Sequence, residues 1–120
     1  MQRLSVVVFA VAAILSACGG IQTLKADAGA DFSVVMGAAP TFDGCASAGD
    51  IVNYKWTVLT APPAMLSDVG KALREVDANC SFTLESSMHV EEAGEWVIQL
   101  EVRDASGNTA TDTVTVTVTP

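Results

Sequence analysis

The chain has 120 residues, half of them apolar, with 6 basic residues against 14 acidic ones and a formal net charge of -8. That length suits one domain with its own core. The acidic balance argues against nucleic acid, which is bound through Lys and Arg clusters, and against a polybasic contact with a membrane surface.

Arg3 is followed by an uncharged apolar run over residues 6–15 (VVVFAVAAIL), then by Ser16, Ala17, Cys18, Gly19 and Gly20. A spanning helix needs roughly 20 apolar residues; this run is about half as long and stops at the glycines. A positive charge, a short apolar core and a small-residue exit are the parts of an export signal. Leu15-Ser16-Ala17-Cys18 resembles the lipobox of bacterial lipoproteins. The resemblance implies a signal peptide over residues 1–17, cleavage before Cys18, a diacylglyceryl thioether on that sulfur, and acylation of the new amino end by a chain such as palmitate. Two or more acyl chains, at ~0.8 kcal/mol per buried methylene, hold a protein durably on a bilayer. Gly19 stands where an aspartate retains lipoproteins of enteric bacteria at the inner membrane. The resemblance therefore favours the outer membrane and places the chain outside the cytoplasm. An ordinary export signal with an incidental cysteine is the alternative. Residues 18–25 then form a lipidated tether, and residues 26–120 the domain.

Beyond the tether the pattern has period two. Phe32 and Val34 alternate with polar neighbours; so do Tyr54, Trp56 and Val58 with Val52 before them, Phe82 with Leu84, Trp96 through Val102 at even positions, and Val114, Val116 and Val118 between threonines. Such alternation marks strands with one face on a core, and valine and threonine suit a pleated surface. Turn chemistry separates the runs: Asp43-Gly44, Ala48-Gly49-Asp50, Pro62-Pro63, Ala93-Gly94, and Asp104 through Asn108. Seven strands follow, at about 31–36, 39–44, 51–59, 73–76, 81–86, 95–103 and 109–118. Residues 67–76 read as a loop with one helical turn, weakened by Gly70, leading into the fourth strand. Short strands with no long helix predict an all-β sandwich.

ADAGADFSVVMG, TFDG, IVNYKWTV and GEWVIQLEVRDASGNTATDTVTVTV resemble the PKD and related bacterial Ig-like domains. The most specific elements are Tyr54-x-Trp56 and the final hairpin. The resemblance implies an immunoglobulin-like two-sheet β-sandwich, used as a spacer, adhesive module or accessory binding domain and seldom as a catalyst. The chain departs from the common pattern in a short 45–50 loop, in Thr57-Val58-Leu59 after Trp56, and in Trp96 where a tyrosine is usual.

With Cys18 consumed by lipid, Cys45 and Cys80 remain in an oxidising compartment where a disulfide persists. Two free buried thiols are the other reading. The resemblance adds that Cys45 closes the second strand and Cys80 opens its antiparallel neighbour, which lets a bridge form. In the chain-entropy model a loop of this length is worth on the order of 3–4 kcal/mol.

No catalytic constellation is present: His89 is the sole histidine and falls in a loop, and no serine sits in a nucleophile elbow. No metal or cofactor is expected. Asp27, Asp50, Asp77 and Asp104 are expected at the tether end as hydrated turn residues, calcium being the competing thought. Residues 60–73 and 86–95 are expected at the opposite end, where Pro62, Pro63, Met65 and Leu66 either carry recognition or, in the favoured account, Met65 and Leu66 fold back and cap the core. Tyr54, Trp56, Trp96, Val102 and Val116 are expected as core, not as a pocket. The resulting expectation is a non-catalytic, lipid-anchored binding or scaffolding module for an envelope protein or glycan. An accessory lipoprotein subunit of an envelope secretion or assembly machine is the alternative.

Overall fold

The computed structural model describes residues 23–84 and 92–120. Cys18, the tether up to residue 22, and His89 lie outside the described residues. Seven strands and one short 3-10 helix are present: β1 Phe32–Val35, β2 Thr41–Asp43, β3 Ile51–Thr60, the helix Pro63–Asp68, β4 Ala72–Asp77, β5 Ser81–Thr83, β6 Gly94–Asp104 and β7 Thr109–Thr119. They form a sandwich of a five-stranded sheet, β1-β7-β6-β3-β4, and a two-stranded sheet, β2-β5. The protein is thus all-β, as the alternation requires.

The large sheet is built on the β6–β7 hairpin, paired without interruption from Gly94↔Val118 to Arg103↔Thr109. β3 lies antiparallel on the other side of β6. β1 joins β7 in parallel, Phe32 opposite Val116. Two aspartates pin the chain as it crosses to that edge. Ala28 N donates to Asp112 Oδ2 at 2.8 Å, and Thr115 N donates to Asp31 Oδ1 at 2.9 Å. Otherwise these backbone groups at the sheet margin would lack a partner.

The core lies between the layers. Trp56, Val58, Ile98, Leu100, Val102, Val114, Val116 and Val118 come from the large sheet, Phe42 from the small one, Leu84 from just beyond β5, and Ala26 and Ala28 from the entering chain. Trp56 is wholly inaccessible. Phe42 lies 5.5 Å from its ring and Phe82 5.9 Å, while Phe42 and Phe82 stack at 5.3 Å. Trp56 Nε1 finds no hydrogen-bond acceptor among the described residues, a penalty on the order of 1–3 kcal/mol that burial of the large ring offsets. Gly44 makes the close approach possible. A Cβ there would stand 2.8 Å from Leu100 Cδ2 and 3.1 Å from Trp56 Cζ2.

Four expectations need correction. Val52 is exposed and Ile51 packs on the core instead. A register shift between Ile51 and Asn53 in the β3–β6 pairing inverts the alternation there. The helical turn falls at Pro63–Asp68, ahead of the 67–76 segment. Proline near a helix start is pre-set in φ and loses no hydrogen bond, and Gly70 at φ 92° turns the chain out of it. β4 consequently begins at Ala72. Met65 packs against the core as expected, but Leu66 does not: it is 62% exposed. Tyr54 is a half-buried neighbour of the core, whereas Trp96, Val102 and Val116 are buried within it.

Trp56→Ala is expected to lower the free energy of unfolding by about 3–5 kcal/mol, read from urea denaturation. A change below about 1 kcal/mol would show that the indole is not the packing centre.

Candidate functional site

Register places the chemistry-bearing residues at two ends of the sandwich. At one end Lys25 bridges Ala48, β3 starts opposite Asp104, and Asp77 closes β4 opposite Tyr54. At the other end Thr60 pairs with Val97, Gly94 with Val118, and Val35 with Thr119.

The tether end is held by covalent and polar links. Cys45 and Cys80 form a disulfide with Cα atoms 4.9 Å apart. The bridge joins the chain leaving β2 to the chain entering β5, beside the Asp43–Ser81 pair. Gly44 N donates to Cys80 O at 2.8 Å in the same place. The pairing of Cys45 with Cys80 is the one the family topology implied.

Four aspartates at this end are occupied by their own turns, whereas Asp50, also expected here, is exposed and its carboxylate accepts no hydrogen bond among the described residues. Asp27 Oδ1 accepts from Gly29 N, Asp43 Oδ1 from Cys45 N, Asp77 Oδ1 from Asn79 N and Asp104 Oδ1 from Ser106 N, all within 3.0 Å. Each is an Asx turn, a carboxylate standing in for a backbone carbonyl two residues on. Asp104 also accepts from Asn108 N and Asn108 Nδ2, closing the β6–β7 loop. Among the described residues no three His, Cys, Asp or Glu side chains are grouped so as to hold a metal ion.

At the edge of the sandwich Arg74 lies with its guanidinium 4.7 Å from the Phe82 ring and 3.2 Å from Asp77 Oδ2. It covers the aromatic cluster where β4 and β5 face each other across the layers. This contact was not legible in the sequence, because it joins residues of two different sheets.

The far end carries part of the apolar exposure; Val52 and Val76 are exposed at the other end. Leu66 and Val69 flank the 3-10 helix C-terminus, and Leu59 ends the core-facing part of β3; all three are exposed. Beneath them Pro62 packs on Gly94, where a Cβ would come within 2.9 Å of its ring. Lys71 Nζ reaches the buried Asp68 carboxylate at 3.2 Å. Trp96 Nε1 donates to Glu92 O at 3.2 Å, so the indole ties its own strand to the loop before it. A void of about 10 Å³ separates Leu84 and Leu73 from Trp96 and Val116. Its apolar lining and one-water size mark a packing defect and not a ligand pocket.

No helix among the described residues is long and apolar enough to cross a membrane. The fold and the arrangement of its ends match a known module. The family model described as "K319L-like, PKD domain" matches residues 28–118. The chain belongs to that family. It is similar to the solution structure of the PKD domain from KIAA 1837 protein, with 26% identity and a TM-score of 0.56, over 78% of this chain and 84% of that one. It is also similar to the Clostridium thermocellum CbhA fibronectin(III)-like modules, at 13% identity and a TM-score of 0.53, over 81% of this chain and 96% of that one; this likeness is one of fold. Comparison with curated proteins finds no match. PKD domains and fibronectin-like modules are typically non-catalytic, and PKD domains are commonly extracellular.

The turn aspartates leave a titration signature. The Asn108 side-chain amide, followed by the N–H groups of Asn108 and Ser106, holds the Asp104 carboxyl below its ordinary 3.8, against the opposing effect of desolvation. The Asn79 N–H and then Arg74 do the same for Asp77. Carboxylates with lowered folded values add stability that is complete above the unfolded value and lost as pH falls through the folded one. The melting temperature is therefore expected to stay level from about pH 7 to pH 5 and to fall between about pH 4 and pH 2. Asp104→Asn, which cannot ionise, is expected to melt lower at neutral pH and to lose less across the acid range. Parallel acid profiles for the two proteins would contradict this assignment.

Proposed function

We propose that the protein is a lipid-anchored module of the bacterial cell envelope, outer membrane favoured, that binds or scaffolds an envelope protein or glycan and does no chemistry itself. The observation that carries this reading is the lipobox-like Leu15-Ser16-Ala17-Cys18 placed ten residues before a PKD domain that starts at residue 28. In this reading Cys18 bears the acyl chains, residues 18–25 are the tether, and the sandwich stands beside the bilayer.

The arrangement of the described ends supports it. Lys25 enters the domain beside Ala48, at the end opposite to the 60–71 connection and to the Gly94 start of β6. A tether at the first end turns the second toward the surroundings. Exposed Leu59, Leu66 and Val69 on a rigid frame are where recognition is ordinarily carried. Their apolar character favours a protein partner over a neutral glycan, and so gives weight to a second reading, an accessory subunit of an envelope secretion or assembly machine.

Two measurements test the proposal. Expressed in a lipoprotein-processing bacterium, the full chain is expected in the membrane fraction, with an amino end at Cys18 carrying a diacylglyceryl group and an amide-linked acyl chain by mass spectrometry. Cys18→Ser is expected to leave the membrane. An acyl-free wild-type chain in the soluble fraction would refute the anchor. Leu66→Asp is expected to abolish capture of a crosslinked envelope partner without shifting the melting temperature; unchanged capture would remove the far end from consideration.

A further inference from the structure

We infer that the Cys45–Cys80 disulfide is a thiol-exchange site whose redox state controls a clamp on the N-terminal tether. The clamp is made of residues 45–49. Lys25 N donates to Ala48 O and Ala48 N to Lys25 O, both at 2.9 Å. Asp27 N donates to Ser47 Oγ at 2.8 Å. Leu24 lies against Gly49 so closely that a Cβ there would stand 3.0 Å from Leu24 Cδ1. The turn that grips the tether is thus the same turn that carries Cys45.

Cys45 is exposed and Cys80 half-buried, and neither belongs to the hydrophobic core. Access is a main control on thiol–disulfide exchange, and here access is open at the Cys45 side. A dithiol reductant, either a small molecule or a protein with two vicinal thiols, supplies the electrons. One thiolate of the reductant attacks Cys45 Sγ, the S–S bond breaks, and Cys80 Sγ leaves with the electron pair and takes a proton. The second thiolate then attacks the reductant sulfur in the mixed disulfide and releases Cys45 as a thiol. The cystine gains two electrons and two protons, and the dithiol becomes a disulfide.

Opening the bridge acts locally. β2 and β5 are three residues each and pair at only three positions. Without the bridge the clamp turn is tied to β5 by that short ladder and by the Gly44–Cys80 hydrogen bond at its end. Ladder ends fray first. The large sheet has no strand passing through the bridge, and its β6–β7 pairing runs unbroken over ten positions. Reduction therefore frees residues 23–27 from the hydrogen bonds that grip them, leaving them held only by the core packing of Leu24 and Ala26, while the large sheet stays formed. Five freed residues lengthen the tether by about 17 Å when extended. That gain in reach rests on the anchor at Cys18; the clamp and its redox control do not.

Trypsin reads the clamp directly. Lys25 is exposed, but the next residue, Ala26, is 7% exposed and the backbone is bridged. Full-length chain in detergent is compared oxidised, and reduced with dithiothreitol then alkylated. Cleavage after Lys25 is expected to rise about tenfold or more on reduction, because proteolysis follows the population of the opened form. Cleavage after Lys55, within β3, is expected to stay slow. Oxidised Ala48→Pro lacks the donor N–H and is expected to be cut rapidly after Lys25 without reductant. Three results would each overturn the inference: an unchanged rate after Lys25, a bridge that resists dithiothreitol in the native protein, or equal acceleration at Lys55, which would report global unfolding. Partition of the same samples into detergent reports acylation separately, so loss of the anchor and loss of the clamp are distinguishable.

Discussion

Everything in this sandwich depends on how Trp56 is enclosed. A five-stranded sheet presents a wide apolar face, and among the described residues only two strands of three residues each cover it. So short a pair cannot hold its place through backbone hydrogen bonds alone. It is held by side chains. Phe42 and Phe82 pack on the Trp56 indole, and Arg74 closes the outer side of Phe82. Gly44 gives up a side chain so that the backbone can come down onto the ring. The disulfide then ties the ends of the two strands together where the aromatic cluster stops. The small layer is a lid of rings and a covalent staple, and the large layer is the frame.

How much of this was legible in the sequence depended on how far each feature is local. Period-two alternation is a property of a single strand, so β6 and β7 could be read almost to the residue: Trp96, Ile98, Leu100 and Val102 are all buried. Val52 defeated the same reading because a bulge is a property of a strand pair. The register slips between Ile51 and Asn53, and the side chains beyond it exchange faces. Leu66 was assigned to the core on its hydrophobicity alone, but a single 3-10 turn presents only part of its circumference inward, and Met65 took that part. The disulfide was legible for a different reason. Cysteine arithmetic narrowed the choice, and the family topology supplied the neighbouring strands.

The aspartates show how one residue type resolves into structure when its neighbours are considered. Asp27, Asp43, Asp77 and Asp104 lie in separate turns, yet each accepts a hydrogen bond from the N–H two residues ahead. Asp31 and Asp112 instead reach across the chain to backbone groups on the β1–β7 side. An acidic protein of this size could have been acidic for the sake of a ligand. Here six of its carboxylates replace backbone acceptors at turns and strand margins, where Gly, Pro and regular pairing leave donors without partners. Charge serves the fold first, and solubility follows from it.

The separation of the two ends bears on use. In the proposed reading the module is constrained at its Lys25 end, and that end is where this chain concentrates its cross-links: the bridge, the Asx turns and the Lys25–Ala48 pairing. The opposite end carries the 3-10 turn and exposed aliphatic side chains such as Leu66 and Val69. On that reading, a frame cross-linked at the anchored end would transmit position to the far end with little loss. What remains adjustable is the join between tether and domain, five residues gripped by one turn. Since that turn contains Cys45, the length of the arm and the oxidation state of a single exposed bridge are mechanically the same variable.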